Sequence, residues 1–185
     1  MKKLFLLLLC LTLTGCKSAD DAMTRGLELR NALCNASSCS FDAVITADYG
    51  TQTYCFTVGC TFDSFANLRF EVQAPDTISG IHGRVDAEGG KLEFEDTALS
   101  FPLLADGLLS PVSAPWILMK TLRGGFITSA GDMGGKIRLI IDDSYESDSM
   151  TLHIFLDEQN IPLEADIYWQ GRRILSLVIS NFQML

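Results

Sequence analysis

Cysteines, histidines and carboxylates are the groups in this 185-residue chain that could do chemistry. Cys34 and Cys39 form one pair and Cys55 and Cys60 another, each with four residues between. A zinc site usually puts two to four residues between thiolates in a turn, so that both sulfurs converge. On a strand, the odd separation of Cys55 and Cys60 points them to opposite faces, which one metal does not easily bridge. Two readings stay open. Cys34 or Cys39 could reach Cys55 or Cys60 as a disulfide across adjacent elements, or the thiols are free and Cys60 is a small core hydrophobe. His82 and His153, the only histidines, both fall on the polar parity of alternating segments, which suits a surface position better than a catalytic base. Asp142, Asp143, Glu146 and Asp148 crowd into one turn and could offer oxygens to a hard cation. They lack the glycine spacing of a calcium loop and read as a solvated hairpin tip. Ser110 and Ser113 stand in no Gly-x-Ser-x-Gly context. No catalytic constellation, metal set or cofactor motif emerges, and the expected class is a binding protein, not an enzyme.

The N-terminus supplies the compartment. Met1-Lys2-Lys3 is a short basic segment and Leu4 to Leu13 an apolar one of signal-peptide length. It falls short of the roughly 20 apolar residues that cross a bilayer, and the polar Lys17-Ser18-Ala19-Asp20-Asp21 follows at once. Leu13-Thr14-Gly15-Cys16 resembles the bacterial lipobox. That resemblance implies a signal peptide over residues 1–15, a diacylglyceryl group on the Cys16 thiol, and Cys16 as mature N-terminus. Cys10 leaves with the leader. Lys17 is not the Asp that holds lipoproteins at the inner membrane in enterobacteria-like cells. The expected location is therefore the extracytoplasmic face of the cell membrane or outer membrane, held by the lipid alone.

The whole chain carries 14 Lys and Arg against 23 Asp and Glu; without Lys2 and Lys3 the balance is 12 against 23, a formal charge of −11. So acidic a protein is repelled by nucleic acid and by anionic headgroups. Residues 16–185 are expected to form one domain with a short N-terminal tether.

The elements that position these residues follow from periodicity. Asp20 to Leu33 reads as a helix, with Met23, Leu27, Leu29 and Leu33 as a loose apolar stripe. From Phe41 onward the period is two. Phe41, Ala43, Ile45, Ala47 and Tyr49 alternate with polar residues, as do Tyr54 to Phe62 and Leu68 to Ala74 on their own parities. The pattern continues over Ile78–Val85 and through Leu92 and Phe94. Such strands have one buried and one wet face, the antiparallel signature. "LSPVSAPWILMKTLRGG" breaks the pattern. Ser113 suits a cap, Pro115 a first turn and Gly124 a terminus, and the faces of the helix between are mostly apolar, so it should be buried. Four more strands follow: Lys136–Asp142, Met150–Asp157, Ile161–Trp169 and Arg173–Phe182.

About ten antiparallel strands must bury one face, and the apolar mid-chain helix lies between the first six and the last four. The expected fold is α+β: a strongly curved antiparallel sheet, an incomplete barrel, wrapped around the mid-chain helix, plus an N-terminal helix. Phe70, Phe94, Phe101, Trp116, Met119, Leu122, Ile167 and Trp169 could line an apolar cavity inside it, or fill a dry core. The order of elements and the closing "LDEQNIPLEADIYWQGRRILSLVISNF" resemble the lipoprotein-localisation (LolA/LolB-like) family. That resemblance implies a lipid carrier whose incomplete barrel encloses acyl chains, with a lipid or lipoprotein as ligand and no cofactor. A structural or protein-interaction lipoprotein with a filled core is the alternative.

Overall fold

The alternating segments pair edge to edge. The computed structural model describes residues 17–94, 97–102, 104–105, 108–146 and 149–185. Helix α1 (Lys17–Asn35) is followed by β1 (Ser38–Asp48), β2 (Thr53–Asp63), β3 (Leu68–Ala74), β4 (His82–Asp86), β5 (Gly89–Phe94) and β6 (Thr97–Phe101). A small hairpin, β7 (Leu104–Ala105) and β8 (Leu108–Leu109), leads through a 3-10 turn (Pro111–Ser113) into α2 (Ala114–Gly124). Strands β9 (Phe126–Met133), β10 (Lys136–Asp142), β11 (Met150–Leu156), β12 (Pro162–Trp169) and β13 (Arg172–Met184) complete the chain. Eleven strands form one sheet in the order β6-β5-β4-β3-β2-β1-β13-β12-β11-β10-β9, with every pair antiparallel. The end strands β6 and β9 do not pair, so the sheet is curved but open, as expected.

The two halves of the meander join where β13 returns beside β1, with Ala43 opposite Ile179, Ile45 opposite Leu177 and Ala47 opposite Leu175. These residues are buried and their sequence neighbours are less so, the parity read from sequence. Tyr54 departs from it. At the start of β2, beyond the covered part of the sheet, it is exposed.

Helix α2 is buried almost throughout: Ala114 to Met119, Thr121 and Leu122 all lie in the interior. It packs against β2, β10, β12 and β13, and α1 lies over α2, β9 and β10. Polar groups at both its ends are anchored. The Trp116 indole Nε1 donates to the Ala66 carbonyl at 2.8 Å, and Arg30 Nε of α1 donates to the Leu122 carbonyl at 2.8 Å. The latter satisfies one of the orphan acceptors of a helix C-terminus.

Several expectations need correction. Helix α1 is already formed at Lys17, ahead of the start expected near Asp20. Its buried stripe is Ala22, Gly26, Leu29 and Leu33, not one containing Leu27, which is half exposed. Gly26 belongs to the stripe because a Cβ there would stand 2.9 Å from the Leu139 methyls of β10. Ser113 does not cap α2: it is already helical, as the last residue of the 3-10 turn, and its side chain makes no cap bond. The helix runs through Gly124, and the chain turns away at Gly125, whose Cβ would lie 2.7 Å from the Asp142 carbonyl. Ile78 sits in a turn before β4, not in a strand. Strand β9 was not expected at all. No described helix is long and apolar enough to cross a membrane.

Candidate functional site

Among the described residues, the two helices pack against β2, β9, β10, β12 and β13, and exposure on the inner face rises from β4, where Val85 is buried, to β5 and β6. Register identifies the side chains on that face. Phe41, Cys60, Phe70, Gly83, Leu92 and Leu99 stand directly opposite one another on successive strands from β1 to β6. Phe41, Cys60 and Phe70 are buried, Leu92 is half-buried, and Leu99 is 61% exposed. One apolar row thus leaves the closed core and runs out to the open edge. A parallel row through Leu68, Val85, Gly90 and Phe101 stays closer to the core, its first two members buried and its last two half-buried. Phe94, on the same parity as Leu92, is 46% exposed.

Two glycines shape this surface. The Phe70 ring lies over Gly83, where a Cβ would be 3.0 Å from its Cζ, and the Phe101 ring lies against Gly90. A side chain at Gly83 would also meet the Lys91 carbonyl of the neighbouring strand. The glycines let the strands approach and curl with aromatic rings filling the space above them, as ring-over-glycine pairs do in sheets.

The sequence-derived cavity residues therefore divide into three groups. Phe94 is exposed on the rim and Phe101 is half-buried against the core beside it, with Phe70 at the inner boundary. Trp116, Met119, Leu122 and Ile167 belong to the closed core around α2. Trp169 lies apart, at a separate opening of about 310 Å³ lined also by Tyr49, Leu109, Arg172 and Ile174. There the Tyr49 hydroxyl donates to the Leu109 carbonyl, and burial followed by the nearby Tyr54 pushes the phenol upward in pKa. Leu92 and Leu99 were missed from sequence. Their parity was legible, but not that the helices stop short of them.

The four cysteines Cys34, Cys39, Cys55 and Cys60 are free thiols in this structure. Cys39 and Cys60 are buried on the inner face, and burial pushes both thiols upward in pKa, that of Cys60 strongly, so neither is a reactive thiolate. Cys55 is on the outer face within reach of the Thr46 hydroxyl, and the Cys34 thiol points at the Arg123 carbonyl, 3.9 Å away. His82 is exposed and His153 half-buried on the outer parity. Asp142 accepts from the Thr151 hydroxyl and Asp143 from the Met150 amide, each at 2.8 Å, so these carboxylates shape the hairpin. Among the described residues, no three His, Cys, Asp or Glu side chains converge as metal ligands. Cys16 and Asp148 lie outside the described residues.

The chain matches no protein-family model, and no curated protein is similar to it in sequence. A solved structure speaks for its fold. A DUF1329-family protein from Desulfovibrio piger superposes with a TM-score of 0.50 at 9% identity, over 90% of this chain and 93% of that one. An uncharacterised conserved protein from Thermus thermophilus gives a TM-score of 0.46 at 7% identity, over 86% of each chain. A LolA-superfamily protein from Nitrosomonas europaea gives 0.45 at 7% identity, over 89% of this chain and 93% of that one. At such identities the Desulfovibrio piger protein speaks for the fold alone.

Proposed function

We propose that this protein is a lipid-anchored, extracytoplasmic binding protein that holds the acyl chain of a lipid or lipoprotein on the inner face of β4 to β6. The action is sequestration, not catalysis. Each methylene moved out of water onto an apolar surface contributes about 0.8 kcal/mol. The observation that carries this reading is the row from buried Phe70 through half-buried Leu92 to Leu99, 61% exposed, with Phe94 beside it. It is an apolar face continuous with the core yet open to a ligand. An exposed apolar patch of this kind is a binding surface more often than an accident.

Binding of a fluorescent fatty acid by the lipid-free protein tests the proposal. Because Phe94 is about half exposed and Leu99 mostly so, Phe94→Ser with Leu99→Ser should change stability by only about 1 kcal/mol. Affinity for the probe should fall about tenfold or more, roughly 1.4 kcal/mol. A parent protein that binds no probe, or a double variant that binds it unchanged, sinks the assignment.

The anchor is part of the same proposal. With α1 beginning at Lys17, a lipid on Cys16 would hold the first helix directly at the bilayer surface. Cys16→Ala should move the protein from the membrane to the soluble fraction and leave the leader uncleaved by the lipoprotein signal peptidase. Normal processing and unchanged fractionation would contradict it. A second reading, a lipoprotein that acts through protein contacts alone, draws support from the closed packing around α2, where Leu118, Met119 and Ile167 are all 0% exposed. Native mass spectrometry after detergent-free extraction separates the two, because only a carrier retains lipid mass.

A further inference from the structure

The solvent face of the same strands carries a different row. Thr61 of β2 stands opposite Arg69 of β3, Arg69 opposite Arg84 of β4, and Arg84 opposite Lys91 of β5. Side chains directly opposed in an antiparallel pair have Cβ atoms about 4.5–5.5 Å apart, and like charges there are destabilising. Three cations thus stand side by side in a chain with only 14 Lys and Arg against 23 Asp and Glu. Lys91 is answered by Glu93, with Nζ 2.5 Å from Oε1. Among the described residues, Arg69 and Arg84 have no carboxylate within 4.0 Å.

Both guanidinium side chains line an open groove of about 740 Å³ on this face. Thr61 and Ser40, on the same row, add two hydroxyls to its wall. Acidic residues line it too, one row further along the strands: Asp42, Glu71 and Glu93, with His82 among them. Two of those carboxylates are already engaged. Asp42 accepts from Asn181 Nδ2 at 2.7 Å and from Gln73 Nε2 at 3.2 Å, and Glu93 is held by Lys91 and, at 3.6 Å, by His82.

Two residues of strand separate the rows, about 7 Å. That spacing limits what the basic row can take. A long polyanion would lie against the acidic row and against the charge of the whole molecule. A compact oxyanion seated between two guanidinium forks would not. We propose that Arg69 and Arg84 form a binding site for a phosphate group, held by charge-assisted and partly bidentate hydrogen bonds. The anion removes the repulsion that the opposed arginines otherwise impose on the β3–β4 pair. This inference stands apart from the acyl-chain reading, since the two rows lie on opposite faces of the same strands.

The test is thermal unfolding of the purified protein at constant ionic strength, with sodium chloride, inorganic phosphate or glycerophosphoethanolamine. Phosphate should raise the melting temperature saturably and beyond chloride. A response to glycerophosphoethanolamine as well assigns the site to a lipid headgroup; a response to inorganic phosphate alone assigns it to free phosphate. Arg84→Gln and Arg69→Gln should each abolish the response. Without phosphate and at low salt, each should melt higher than the parent, by about 1–3 °C, because one of two opposed charges is gone. The proposal is overturned by a parental response no larger than that to chloride, by a response that survives both substitutions, or by variants that melt lower than the parent without phosphate.

Discussion

An aspartate in place of Phe70 should leave the chain unfolded at 25 °C. Phe70 is 4% exposed, between Cys60 and Gly83 in the inner row, with its ring over the Gly83 backbone. Removing a buried phenyl ring costs roughly 3–5 kcal/mol. The introduced carboxylate is buried beside Cys60 and Gly83 and loses several kcal/mol more through desolvation, or must take up a proton to stay. Together these approach the roughly 5–15 kcal/mol that hold a typical domain together. One residue away the outcome reverses. Arg69 is on the solvent face, and Arg69→Gln should change stability by no more than about 1 kcal/mol, towards the more stable side in the absence of phosphate. Urea titration followed by circular dichroism on the two variants checks both. Comparable losses would mean that β3 does not alternate between a closed face and a wet one.

That alternation was the most legible part of the molecule. In β1 to β3 and β10 to β13 one parity is apolar and the other mostly polar, with Val44, Ile140, Phe155 and Val178 among the exceptions, because a single face is covered and a one-residue slip would reverse every side chain. Strand β9 carries no such signal. Its residues Phe126 to Met133 run in pairs of half-buried and exposed positions, since it is an edge strand with α1 packed beside it. Gly26 looked like a flaw in a helix and is a close contact with Leu139, visible only once β10 is in place. The rim was half legible for the same reason. Phe94 and Phe101 stood out as aromatic, whereas Leu92 and Leu99 gain meaning only from where α2 stops. The basic row could not be read at all. Arg69, Arg84 and Lys91 are scattered along the chain, and only the register of two hairpins brings them side by side.

Met119→Ala tests where the closed interior ends. From the sequence, α2 could have been one wall of a cavity, and truncating Met119 would then cost about 1 kcal/mol and alter ligand uptake. The structure argues for more. Met119 is 0% exposed, on a helix enclosed by β2, β10, β12, β13 and α1. Met→Ala in such a place removes packed methylenes and leaves a void that rigid strands fill poorly, a loss of roughly 2–5 kcal/mol. The acyl-chain face lies on β4 to β6, away from the α2 contacts, so affinity for a fluorescent fatty acid should stay within about twofold of the parent under conditions where both are folded. The pairing of results decides the matter. A large stability loss with unchanged binding places the ligand on the rim. A small loss with altered binding would mean that the ligand space reaches α2, and the inner end of the site would have to be redrawn around Trp116, Met119 and Ile167.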